Sequence, residues 1–204
     1  AFMAPVVLMW GVTMVVLVWQ RDLGTATLFF VVFLVMLYIA SGQLALMLAG
    51  LVLLAVAAVV AYNQFDVVAL RVHVWANPWP DADSSAYQIV QSLMAVAAGG
   101  LFGQGIGQGQ PTIIPVVHSD FAFAAVGEEW GLLGIITVLA VIALLVTRGL
   151  RIAVEAQQAF RTLLAAGLSV MLGLQSLLIM AGVLKLIPLT GVTLPFVSYG
   201  GSSL

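Results

Sequence analysis

The chain is 204 residues long, 63% hydrophobic and 7% charged, with a mean hydropathy of +1.20 and a formal net charge of −2. That composition excludes a soluble domain, which could not keep so much apolar surface in solution. The net charge says nothing about partners, no nucleic-acid partner is expected, and the absence of cysteine excludes thiol chemistry and a cysteine-ligated metal.

The apolar segments run to about 20 residues, enough for a helix to cross a hydrocarbon layer of roughly 30 Å, whereas a closed barrel would show strict alternation. The expected fold is therefore all-α, a polytopic transmembrane helical bundle. A first span is expected from Pro5 to Trp19, broken by Gln20-Arg21-Asp22, and a second from Leu23 to Ala40. Ser41-Gly42-Gln43 reads as a turn, and a third span follows from Leu44 to Tyr62. The long polar excursion from Gln64 to Gln88 holds Arg71 and three acids; VVALRVHVW within it suits a membrane surface, and NPWPDAD is turn chemistry. Ile89 to Gly99 is an apolar helix too short to span, and GGLFGQGIGQGQP at 99–111 reads as a flexible glycine-rich loop. A fourth span is expected from Phe121 to Val146 and a fifth from Thr162 to Leu184, joined by TRGLRIAVEAQQAFR with Arg148, Arg151 and Arg161. IPLTGVTLPFVSYGG at 187–201 dips back or begins a sixth. The organisation is a single transmembrane domain over 1–204 with a large external loop at 63–120. Ala1 and the abrupt end after GGSS make the chain read as an excerpt of a longer one.

Three of the six basic residues fall in the 147–161 connection, which the positive-inside rule places in the cytoplasm. Counting spans back from there puts Asp22, Arg71, Asp120 and the 185–201 segment on one external face, where a site could be assembled.

Asp120 stands immediately before the fourth span, and two readings are open for it: a helix N-cap, stabilised by the helix dipole, or a general base at the outer mouth of the bundle. Glu128 and Glu129 lie roughly 12 Å further along the helix, where an acid needs an interior partner such as Arg71 or a backbone amide. A structural pairing role is expected for both. Asp22 beside Arg21 reads as a local ion pair or cap, with lining of the external site as the alternative. His118-Ser119-Asp120 is no hydrolase triad, since sequence neighbours do not converge as nucleophile, base and orienter. The glycine loop follows no strand and carries no lysine, so it is not a nucleotide loop. His73 and His118 with Asp120 make only a weak case for a metal.

Six stretches in order, RDLGTA at 21–26, NPW at 77–79, YQIVQSL at 87–93, GGLFGQGIG at 99–107, HSDFAFAAVGEEWGLLG at 118–134 and GVTLPFVSYGGSS at 191–203, resemble the successive signatures of the SEDS proteins (shape, elongation, division and sporulation), which include FtsW and RodA. The resemblance covers nearly the whole chain. Arg21 replaces the usual proline and Ser119 the commoner threonine, and neither change touches an acidic position. The resemblance implies a ten-span protein, of which about five to six spans are here, and a peptidoglycan glycosyltransferase that polymerises lipid II at the outer face of the bacterial cytoplasmic membrane. It implies a class B penicillin-binding protein as partner and puts the essential aspartate of the large external loop at Asp120.

The chemistry expected of that aspartate is to take the proton of the attacking sugar hydroxyl, while pyrophosphate leaves without a dedicated acid. Compensation of the departing charge falls to Arg71, to Lys185, or to a divalent cation (Mg2+ or Mn2+) held by carboxylates. No organic cofactor is expected. Gln88, Gln91 and Ser92 of YQIVQSL, together with His118 and Ser198, complete the expected substrate-binding set, and the lipid tails would lie on the bundle's apolar flank among membrane lipids. The alternatives are a lipid II flippase, for which Glu128 and Glu129 would matter most, and a scaffold of the division or elongation machinery with no chemistry of its own. Which of division, elongation or sporulation is served is not legible.

Overall fold

The computed structural model describes residues 10–15, 19 and 22–199. The expected first span falls largely outside these residues; of it, 10–15 are helical. Six helices follow: α1 Leu23–Ser41, α2 Leu44–Gln64, α3 Asp66–Ala76, α4 Tyr87–Gly99, α5 Ala122–Glu155 and α6 Ala159–Val183. Among the described residues α1, α2, α5 and α6 are long and apolar enough to cross a membrane.

Local chemistry sets the boundaries. Asp22 Oδ1 accepts from the Thr25 amide at 3.1 Å and so caps α1, whose other end closes at Gly42 in the left-handed region. Phe65 alone separates α2 from α3, in extended backbone that turns the chain at the end of the span. The VVALRVHVW stretch is thus helical within α3, and NPWPDAD forms a 3-10 turn at Trp79–Asp81. Helix α5 runs nine residues past the expected Val146, so Arg148 and Arg151 lie on its last turns and the connection shrinks to 156–158. No proline or glycine pair interrupts 147–155, and a helix continues until something stops it. Residues 184–199 form no helix; turns and bends at 184–187 and 195–198 flank an irregular stretch at 188–194.

The two ends of the bundle are chemically distinct. Met36 of α1 lies against Gly167 near the start of α6, while Gly24 at the other end of α1 abuts Thr190, beyond the end of α6. The 41–43 and 156–158 turns therefore share one end, and Asp22, the 65–121 segment and residues 184–199 share the other. Lipid tails are as apolar as leucine, so small residues rather than hydrophobicity hold the spans together. Gly149 seats against Ser169 and Gly173 against Val146 across the α5–α6 contact, and Gly99 of α4 packs on the Gly127 carbonyl of α5. The buried apolar cluster lies toward the site end, where Val74 of α3, Ile89 and Val90 of α4, Phe121, Phe123 of α5 and Ile179 and Val183 of α6 pack with Leu194. Helix α2 buries no residue within the chain.

Candidate active site

Asp120 lies near the end of a run of tight turns over 114–121 and precedes Phe121, which is 1% exposed and pins the start of α5. The amides of Ala124 and Ala125 go to the Phe121 carbonyl, and Phe121, not Asp120, is the N-cap residue; no side chain caps this helix. The cap reading of Asp120 is thereby overturned: the helix starts one residue too late for its carboxylate to reach the first amides. Among the described residues that carboxylate accepts no hydrogen bond and joins no ion pair.

Instead it lines a cavity of about 190 Å3 with Arg71, Ser85, Gln88 and Gly191 among its other walls. Arg71 comes from α3 and is held by a hydrogen bond from Nη1 to the Thr190 carbonyl at 3.2 Å. It forms no ion pair with Asp120, so a carboxylate and a guanidinium face one small space unpaired with each other. Arg71 also borders a second cavity of about 150 Å3 beside Leu23, Gln64 and Asp66.

The 185–199 segment braces this arrangement. Trp75 Nε1 of α3 donates to the Lys185 carbonyl at 3.1 Å, and Gln175 Nε2 of α6 donates to the Thr193 carbonyl at 2.9 Å. Buried Ser198 receives the Leu194 amide at 3.0 Å and donates its hydroxyl to the Ser119 carbonyl at 2.5 Å. Next to it the Tyr199 amide donates to the His118 carbonyl at 2.7 Å, with the His118 ring edge-on to Tyr199. Two motifs some 80 residues apart are thus tied together directly beside Asp120. Sequence reasoning named Ser198 as a substrate contact and missed this brace; no local signal marks a hydrogen bond of that range.

The other expected site residues disperse. Ser92 is fully buried with its hydroxyl given to the Ile89 carbonyl at 2.8 Å, so it faces the protein interior and not a cavity. Its assignment to substrate is corrected: position 92 falls on the packed face of α4. His118 is exposed and lies outside the Asp120 cavity, as does Lys185. Gln91 lines a different cavity. Asp22 caps α1, and Arg21 lies outside the described residues.

Glu128 and Glu129 mark a break in α5 that the apolar pattern conceals. Gly131 has φ 64° and ψ −158°, a conformation essentially restricted to glycine. A helix interrupted there strands carbonyls before it and amides after it, each costly inside a membrane. The glycine-rich loop supplies the partners: Gln104 N donates to the Glu128 carbonyl (2.9 Å) and Gly105 N to the Glu129 carbonyl (3.1 Å), while Leu132 N and Leu133 N donate to the Gly100 and Leu101 carbonyls (2.9 and 3.2 Å). The carboxylates join in, Glu129 accepting from Gly107 N at 3.2 Å and Glu128 from Gln110 N at 3.0 Å. A Cβ on Gly103 would overlap the Glu129 carbonyl. The expected flexible loop is therefore a docked plug, with its backbone groups spent on α5. The partners of both glutamates are backbone amides, and Arg71 is engaged elsewhere.

For a metal, no group of three or more His, Cys, Asp or Glu side chains converges among the described residues. His73 instead meets Asp81 at 3.4 Å. Asp120 is the one carboxylate lining its cavity, so the described side chains there supply at most a single carboxylate to a divalent ion.

Helices long and apolar enough to cross a membrane, with a carboxylate and a cation brought together at one end between α3, α4 and the non-helical residues around 120 and 189–191, define a polytopic membrane protein. The family model described as "Cell cycle protein", that of FtsW, RodA and SpoVE, matches residues 1–204, and the chain belongs to this family. It is 45% identical over 202 residues to "Peptidoglycan glycosyltransferase RodA" of Mycobacterium tuberculosis, covering 99% of this chain and 43% of that protein. It is 38% identical over 203 residues to "Probable peptidoglycan glycosyltransferase FtsW" of Geobacter sulfurreducens, covering 98% and 54%. Among solved structures it superposes with a TM-score of 0.78 and 29% identity on a chain described as "Structural coordination of polymerization and crosslinking by a peptidoglycan synthase complex", covering 97% of this chain and 56% of that one. The chain spans about half the length of these relatives.

Proposed function

We propose that the protein to which this chain belongs is a peptidoglycan glycosyltransferase that polymerises lipid II, with Asp120 as the general base. The observation that carries this reading is the Asp120 carboxylate, unpaired and capping nothing, in one cavity with Arg71 and Gln88. The acceptor sugar's 4-hydroxyl attacks the donor's anomeric carbon; a C–O bond forms, the bond to the undecaprenyl pyrophosphate oxygen breaks, and the hydroxyl proton passes to Asp120. Charge that develops on the leaving pyrophosphate meets the Arg71 guanidinium, which offers five donors and has given one to Thr190. The site end lies outside the bacterial cytoplasmic membrane, because the opposite end carries Arg148, Arg151 and Arg161. A class B penicillin-binding protein cross-links the product, in keeping with the relative described as a polymerising and cross-linking complex.

The flippase alternative calls for acids near the midplane and for alternating access, and Glu128 and Glu129 are instead fastened to loop amides. The separating test is a pair of assays on the full-length protein in liposomes, one for glycan strands from labelled lipid II and one for its transbilayer movement. Strands without movement support the transferase; movement without strands overturns it.

A further inference from the structure

A larger cavity, of about 350 Å3, adjoins the broken region of α5, with no function assigned to it by the chemistry above. Its polar wall is made of four carboxamides, Gln91 of α4 and Gln104, Gln108 and Gln110 of the glycine-rich plug, together with Glu128 of α5. No lysine, arginine or histidine lines it. Glu128 is 6% exposed; its Oε1 accepts from Gln110 N, and its Oε2 is buried with no hydrogen-bond partner. The Oε2 atom is shut off from the cavity, so the polar groups that face a ligand there are the carboxamides, each able to donate and to accept.

We infer that this cavity is a saccharide subsite, taking one or two neutral N-acetylated sugar units through the four carboxamides. Each carboxamide carries both a donor and an acceptor, the combination that matches sugar hydroxyls and N-acetyl groups. The lone carboxylate with no cation nearby disfavours phosphate, which sorts the charged part of a substrate toward Arg71 and the neutral part here. The volume lies at the lower end of the roughly 300–1,000 Å3 of small-molecule sites. Gln88 of the Asp120 cavity stands one turn before Gln91 on α4, about 4.5 Å along its axis, so the two cavities succeed one another along one helix. The inference rests on the glycosyl-transfer reading and adds to it where the sugar chain is gripped.

The test uses the full-length protein in lipid nanodiscs, with N,N′-diacetylchitobiose as probe and saturation-transfer NMR as readout, beside the KM for labelled lipid II. Gln104 and Gln108 are exposed loop residues, so the double variant Gln104→Ala/Gln108→Ala should fold. Wild type and Asp120→Asn should both bind the disaccharide. The double variant should bind it about tenfold more weakly and show a KM raised about tenfold with kcat little changed, the loss expected for two hydrogen bonds. A wild type that polymerises lipid II while the double variant keeps both its disaccharide affinity and its KM overturns the subsite and leaves the transferase standing. Disaccharide binding that depends on the glutamines in a protein that makes no glycan overturns the transferase and leaves a saccharide site.

Discussion

Asp120 is set apart by what it does not do. A carboxylate at the start of a long apolar helix ordinarily earns its place as a cap, yet the α5 amides turn to the Phe121 carbonyl. Ser198 does the opposite, since its hydroxyl joins Leu194 to Ser119 and so fixes the backbone that presents Asp120. Removing that hydroxyl leaves a buried amide and carbonyl short of a partner, so Ser198→Ala should lower stability by about 1–3 kcal/mol. Misplacement of Asp120 should lower kcat with it. Thermal unfolding in detergent and lipid II turnover measure the two effects, and Ser198→Thr, which keeps a hydroxyl, should recover part of both. Arg71→Ala should cost roughly a hundredfold or more in turnover, in line with loss of one preorganised donor to a developing charge. Arg71→Lys, which restores charge but not the forked geometry, should recover only part of it.

At the scale of elements, the plug and the broken helix depend on each other. Gly131→Ala forces a side chain into a backbone region that alanine avoids and against the Gly103 amide, and should cost at least about 1–3 kcal/mol. Gly103→Ala should cost a similar amount through the Glu129 carbonyl. If the plug were a loose loop, both variants would melt with wild type, and differential scanning of the purified proteins decides this. The spans themselves were legible because a run of some 20 apolar residues between polar breaks has one physical solution in a bilayer. The α5 break was hidden because GLLGIITVLAVIALLV has no proline, and its single decisive torsion belongs to a glycine that a continuous helix would also tolerate. The plug was hidden for the same reason, since glycine-rich composition signals freedom of φ without saying which groups will use it. Ser92 misled because a hydroxyl in YQIVQSL reads as polar, whereas its place on α4 is decided by the packed face that Ile89 and Val90 define. Arg71, Gln88 and Asp120 do line one cavity, and what pointed to their shared face was charge counting, not any local motif.

Across the whole molecule, an arginine-bearing end and an acid-bearing end predict one orientation. The chain has no cysteine, so single cysteines can report it. Ser84→Cys, exposed after the 3-10 turn, should react with a membrane-impermeant maleimide in intact cells when other thiols in the full-length protein are removed. Gln157→Cys, in the 156–158 turn, should react only after permeabilisation. The opposite pattern would place Asp120 in the cytoplasm, away from any outer-face polymerisation.

In the proposed reaction the Asp120 carboxylate accepts a proton during sugar transfer. The most direct measurement is the rate of glycan formation from labelled lipid II by the full-length protein with its transpeptidase partner, comparing wild type with Asp120→Asn at matched folded yield and melting temperature. Asparagine keeps the shape and removes the base, so the account predicts a rate lower by roughly a hundredfold to ten-thousandfold with unfolding unchanged. An Asp120→Asn protein that builds strands at the wild-type rate would contradict it.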